Sequence, residues 1–168
     1  MSYIPLECQG PGIVGLLQSF PVTGKILGDL ANSILNKETL AFSKVERESV
    51  ASYVSYLNNC NFCYRSHSAI ADYLWGEKGK TQSIITNPAD KIKVLFSIAR
   101  KLQQSVQGLA REDIDELQQY NFSSEDTHDL VLIIAAFCMY NRYVDGLGTQ
   151  SNLESYEEMG ERIGKCGY

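Results

Sequence analysis

Two cysteines three residues apart, Cys60 and Cys63, are followed four residues later by His67 in the stretch CNFCYRSH, residues 60–67. Residues of these types can bind a metal, tether a haem, cycle between dithiol and disulfide, or simply pack. At about 100° per residue on a helix, the three side chains fall within about 60° of one another. Cα atoms three apart on a helix are about 5–5.5 Å apart, within the span of a disulfide, so the pair can close with little backbone movement. At a helix start the sulfurs also meet unpaired backbone N–H groups and the positive end of the helix dipole, which favour a thiolate. A histidine one turn on can accept or return a proton. The chemistry this describes is an acidified dithiol with a built-in acid–base neighbour.

The other chemistries fit less well. A c-type haem tether places its histidine directly after the second cysteine, where this chain has Tyr64. Zinc takes four ligands. Three are local, and with no second Cys/His pair at finger spacing the fourth would have to be Glu48 or His128. Two buried cysteines and a satisfied histidine are the plain packing alternative. The five cysteines are an odd number, which argues against a disulfide scaffold in a reducing compartment. Cys138 lies in an apolar run and reads as a small core residue, whereas Cys8 and Cys166 carry no assignable role.

The elements that must position these residues read as helices almost throughout. Residues 12–20 suggest a short helix or turn before Pro21, and residues 24–36 carry apolar residues at helical spacing. Residues 43–59 repeat Val50, Tyr53, Val54 and Leu57 as an i, i+3, i+4, i+7 stripe. Asn58-Asn59 can end that helix and cap the next, which runs from Cys60 to Gly76. In residues 87–105, Asn87 reads as a cap and Pro88 as the first helical position. Residues 111–120 form a short amphipathic helix, and residues 123–148 open on serine caps and exit at Gly146. A last helix is expected over residues 153–163. With no alternating strand pattern, the expectation is an all-α bundle of about six to eight helices around the helix at 125–145, which excludes a thioredoxin fold.

The chain has 168 residues, 44% of them hydrophobic, and a net charge of −5. The length suggests a single domain spanning residues 1–168, with a core of ordinary size. No block of Lys or Arg points to nucleic acid or to an anionic membrane surface. The longest apolar stretch, LVLIIAAFCMY at residues 130–140, is too short to span a bilayer. The start shows no basic region followed by an apolar one, so a cytoplasmic location is expected.

The segment FSKVERESVASYVSYLNNCNFCYRSH, residues 42–67, resembles the alkylhydroperoxidase D-like core of the carboxymuconolactone decarboxylase family. That core reads glutamate, eleven residues, then C-x-x-C-x-x-x-H, and Glu48, Cys60, Cys63 and His67 match it in full. NRYVDGLGT, residues 141–149, is also similar to a segment near the end of peroxidase-related members. The resemblance implies an all-helical fold assembled into homo-trimers or hexamers. It also implies a peroxidase-like activity on alkyl hydroperoxides in antioxidant defence, with no cofactor and no metal. Cys63 would attack the peroxide, Cys60 would condense with it to a disulfide, and Glu48 and His67 would relay protons. A dithiol reductant, thioredoxin-like or lipoyl-type, would reset the pair. The helix dipole alone favours whichever thiol lies nearer the helix start. The decarboxylase branch lacks the redox pair.

Phe62 departs from the pattern, since characterised peroxidases of the family often carry a histidine between the cysteines. Tyr56 and Ser66 are the residues placed to compensate. Glu46 and Glu48 flank Arg47, and on a helix only one of the two glutamates can face the cysteines. His128 reads as a surface residue, Tyr73 and Trp75 as pocket lining or packing, and Arg142 as a partner for an acid on another helix. Gly10, Gly12 and Gly15 read as turns, because no Lys-Ser/Thr follows them.

Overall fold

The computed structural model describes residues 2–8, 10–105, 108–149 and 155–168. Among these residues the chain forms nine helices and no strand. They are α1 (Ile13–Ser19), α2 (Pro21–Leu35), α3 (Lys44–Leu57), α4 (Asn61–Trp75), α5 (Lys80–Thr86), α6 (Asp90–Gln104), α7 (Arg111–Gln118), α8 (Ser124–Gly146) and α9 (Tyr156–Cys166).

The count exceeds the expected six to eight by one, because the chain between Gly79 and Asn87 forms the separate short helix α5. Asn87 ends that helix, donating its N–H to the Ser83 carbonyl at 2.9 Å, instead of starting the next. Pro88 biases Asn87 away from helical geometry, so α6 starts at Asp90 with Ala89 as its N-cap. The last helix lies later than expected, at Tyr156–Cys166, and positions 153 and 154 of the expected span fall outside the described residues. Gly146 stays helical, and the left-handed exit comes two residues on, at Gly148 with φ 60°.

Two caps fix the starts of the helices that matter most. Ser43 and Glu46 form a reciprocal capping box at the head of α3, with the Ser43 N–H on Glu46 Oε2 at 2.9 Å. Ser123 and Asp126 do the same for α8, the Asp126 N–H reaching Ser123 Oγ at 3.0 Å. Between α3 and α4 the chain reverses tightly. Asn58 is the C-cap of α3, Asn59 takes a left-handed φ of 57°, and Cys60 itself is the N-cap of α4. Asn58 is also fastened to α8, its amide donating to Asn141 Oδ1 at 2.8 Å.

The core centres on α8 as expected. Leu130, Ile133, Ile134 and Phe137 of α8 meet Val50 and Val54 of α3 and Leu95 and Ile98 of α6. Cys138 is only half-buried, packed against this core rather than inside it.

A charged residue also lies within it. The Arg47 side chain is fully buried, donating to Asp129 Oδ2 at 2.9 Å, to the Ile34 carbonyl at 3.0 Å and to the Phe42 carbonyl at 3.2 Å. Asp126 lies 3.9 Å from its second nitrogen, and Lys37 adds a bond to Asp129 at 2.8 Å. Burial pushes both aspartates up. For Asp126, Ser123, Thr39 and Arg47 overcome it, and for Asp129, Lys37 and Arg47 do, so both end below the usual carboxylate range. This network ties α3 to α8 and fixes the rotation of α3 at the residue next to Glu48.

Candidate active site

Cys60 and Cys63 occupy the N-cap and first turn of α4, where the spacing placed them, and both are free thiols. His67 lies one turn further along the same face. The α3–α4 hairpin brings Glu48 beside it, with His67 Nδ1 2.8 Å from Glu48 Oε2. Glu48 is fully buried, while Glu46, two residues earlier, is used by the α3 capping box and by Lys91. The structure thus brings Glu48 to His67, and Cys63 and His67 to one cavity wall.

Tyr168 completes the cluster, and nothing in the sequence pointed to it. Its hydroxyl lies 2.8 Å from Glu48 Oε1 and 3.1 Å from His67 Nδ1. The residue as a whole is 42% exposed, but its ring lies roughly parallel to the imidazole at 6.0 Å and its hydroxyl is enclosed. Burial first, then the Glu48 charge, pushes its pKa well above the ordinary tyrosine value, so the hydroxyl keeps its proton and donates to Glu48. With the His67 Nδ1–H on the other carboxylate oxygen, both oxygens of Glu48 are satisfied. An imidazole protonated at Nδ1 alone presents Nε2 as its acceptor. Phe137 packs edge-on to the ring at 4.5 Å and holds its plane.

This arrangement carries an expected result. Tyr168→Phe keeps the ring and removes one donor from a buried carboxylate, a loss of about 1.5–3 kcal/mol for a hydrogen bond to a charged group. Urea unfolding at neutral pH measures it. A midpoint equal to wild type would place the Tyr168 side chain outside this cluster in solution.

The two sulfurs differ in environment. Contact with the Cys63 thiol first, and burial second, push the Cys60 thiol far above its usual range, opposed in part by the Cys63 backbone amide. At Cys60 the neighbouring thiol and burial thus act against the helix dipole, which favours a thiolate at the helix start. Two neighbouring, buried sulfurs do not both ionise, so Cys60 keeps its proton. Cys60 is completely buried, whereas Cys63, 4% exposed, lines a cavity of about 220 Å³.

That cavity is walled by α1, α2, α4, α8 and α9, chiefly with apolar residues such as Leu17, Leu27, Phe137, Met159 and Ile163. Its polar edge is Cys63, Ser66 and His67 from α4, with Tyr168 beside them and Arg162 from α9. Gly160 lets α9 close over α4: a Cβ there would lie 2.6 Å from the Ala69 carbonyl oxygen. Phe62 also lines the cavity, so the position of the family's additional histidine holds an apolar wall. Of the two residues placed to compensate, Ser66 lines the cavity, and Tyr56 does not and is 49% exposed.

The other singled-out residues lie elsewhere. The side chain of His128 is 70% exposed beside Asp129, so it supplies no ligand to the cysteines. No group of three or more His, Cys, Asp or Glu side chains is placed to hold a metal ion among the described residues. Tyr73 and Trp75 do not line the cavity, and Trp75 Nε1–H reaches Ser49 Oγ at 3.4 Å. Arg142 donates to the Cys138 carbonyl of its own helix at 2.7 Å, and among the described residues it pairs with no acid on another helix. No helix among the described residues is long and apolar enough to cross a membrane.

No family model matches the chain, and no curated protein matches it. Solved structures do. One is an uncharacterized peroxidase-related protein from Silicibacter sp. TM1040, 23% identical, covering 88% of this chain and 78% of that one with a TM-score of 0.79. Another is an alkylhydroperoxidase AhpD core, an uncharacterized peroxidase-related protein from Ralstonia eutropha JMP134, 22% identical, covering 89% and 81% with a TM-score of 0.76. At these identities the likeness is one of fold: the chain has the all-helical alkylhydroperoxidase D-like fold.

Proposed function

We propose that this protein is a thiol-dependent peroxidase-like oxidoreductase that reduces organic hydroperoxides through a Cys60/Cys63 dithiol–disulfide cycle. The observation that carries the reading is the placement of Cys63 and His67 on one wall of an apolar cavity, with His67 held by the buried Glu48. His67 Nε2 takes the Cys63 thiol proton, Glu48 stabilises the imidazolium through Nδ1–H, and the Cys63 sulfur attacks the terminal peroxide oxygen. The S–O bond forms as the O–O bond breaks. The departing alkoxide takes the proton back from His67, leaving an alcohol and a sulfenic acid on Cys63. Cys60, still protonated and in contact, displaces water from the sulfenic acid to give the disulfide. A dithiol reductant of thioredoxin-like or lipoyl type then restores both thiols by exchange. The setting this fits is cytoplasmic antioxidant defence in a homo-oligomer, a trimer or hexamer, with no cofactor and no metal.

The test is treatment of the reduced protein with cumene hydroperoxide, followed by mass mapping and a dithiol-linked turnover assay. The expected result is an intramolecular Cys60–Cys63 disulfide and peroxide consumption well above that of free cysteine. Peroxide that leaves both thiols free sinks the proposal. A disulfide that forms without turnover, with any dithiol, favours instead a binding protein with a redox-labile pair.

A further inference from the structure

Three buried side-chain polar atoms have no hydrogen-bond partner among the described residues: Arg47 Nη2, Tyr156 Oη and Ser66 Oγ. The Arg47 nitrogen has the Asp126 charge 3.9 Å away, and the Tyr156 ring lies under the Arg65 guanidinium at 4.1 Å. Ser66 is different. It is 5% exposed, and of the three it alone lines the cavity beside Cys63. A desolvated hydroxyl without a partner is destabilising, and alanine would pack there without that cost. Helical serines escape it by bonding to the carbonyl four residues back. In this protein Ser49 does so to Val45 at 2.7 Å and Ser55 to Ala51 at 2.9 Å, but Ser66 makes no such bond to Phe62. Its hydroxyl is enclosed in the cavity wall with its donor unused.

We infer that Ser66 is a catalytic residue whose hydroxyl hydrogen-bonds the organic oxygen of the bound hydroperoxide, the atom that leaves as alkoxide. The inference rests on the peroxidase reading above and adds a donor to it. Cys63, Ser66 and His67 stand at i, i+3 and i+4 on α4, so the hydroxyl and the imidazole flank the sulfur from the following turn. As Cys63 attacks the terminal oxygen and the O–O bond breaks, the electron pair collects on the organic oxygen. The Ser66 O–H bond to that oxygen strengthens as the charge grows. His67 then delivers the proton it took from Cys63, and Ser66 retains its own. Ser66 thus supplies a polar contact in a wall where Phe62 supplies none.

The probe is cumyl alcohol, the product of cumene hydroperoxide, whose binding does not depend on turnover. Calorimetric binding to the reduced wild type, Ser66→Ala and Ser66→Thr is compared with kcat/KM for cumene hydroperoxide and with the pH profile of Cys63 alkylation. Ser66→Ala is expected to weaken alcohol binding about tenfold and to lower kcat/KM about 10–100-fold, leaving the alkylation profile unchanged. Ser66→Thr, which keeps the hydroxyl, is expected to restore both. Equal alcohol binding and equal kcat/KM in wild type and Ser66→Ala would overturn the inference, as would a wild type that binds no alcohol. Alcohol binding that depends on Ser66 in a protein without peroxide turnover would support the contact and sink the peroxidase reading instead.

Discussion

Cys63→Ser is expected to lower cumene hydroperoxide consumption by about 10³-fold or more, while Cys60→Ser still undergoes the first oxidation and loses sustained turnover. The asymmetry follows from the two environments. Cys63 lines the cavity that a peroxide can occupy, and Cys60 is sealed behind it. A serine hydroxyl at position 63 is a far weaker nucleophile than a thiolate, so the first step is lost outright. With Cys60 removed, the sulfenic acid on Cys63 has no neighbouring thiol and accumulates, visible as the mass of one added oxygen and trapped by a carbon nucleophile. Dithiol-linked turnover measured beside intact mass separates the two variants. If Cys60→Ser lost the first oxidation and Cys63→Ser retained it, the roles would have to be exchanged.

Arg47→Met is expected to destabilise the fold by about 3–5 kcal/mol, the usual cost of removing one partner from a buried ion pair. Methionine matches much of the volume, so the loss falls on Asp126 and Asp129, with Lys37 and the exposed His128 left beside Asp129. The pH dependence identifies the cause. Both aspartates have folded pKa values below their unfolded ones, so their contribution is present above the ordinary carboxylate range and is lost as pH falls through the lower folded values. Protonation also removes the charges that Arg47 neutralises. The stability gap between wild type and variant is therefore largest near neutrality and narrows between about pH 5 and pH 3. Urea midpoints across that range measure it. A gap that stays constant on acidification would assign the loss to packing rather than to the charges.

These two results bear on different levels of legibility in the sequence. The spacing from Glu48 through Cys60 and Cys63 to His67 was readable because all four lie on one helical hairpin, where sequence distance maps directly onto helix face. The serines that open residues 123–148 were readable as a helix start for the same local reason. What was not readable depends on contacts between distant segments. Tyr168 meets His67 across 101 residues, and no local pattern distinguishes it from nine other tyrosines. Asn87 carried a start signal, but the signal was taken by the helix that ends there. The raised Cys60 pKa runs against the dipole argument because the neighbouring Cys63 thiol and burial oppose a helix terminus, and burial is a tertiary property. Ser66 was legible as a candidate, but the absence of its hydrogen-bond partner was not.

The nearness of the two cysteines on α4 bears on damage in the proposed cycle. A sulfenic acid becomes an irreversible sulfinic acid only if a second peroxide molecule reaches it first. In the proposed cycle the competing thiol is the neighbouring Cys60 of the same helix turn, so ring closure would be unimolecular and draw on a large effective molarity, whereas the second peroxide must diffuse in from solution. In the proposed cycle, the nearness of Cys60 would therefore also protect Cys63 from hyperoxidation when peroxide is abundant.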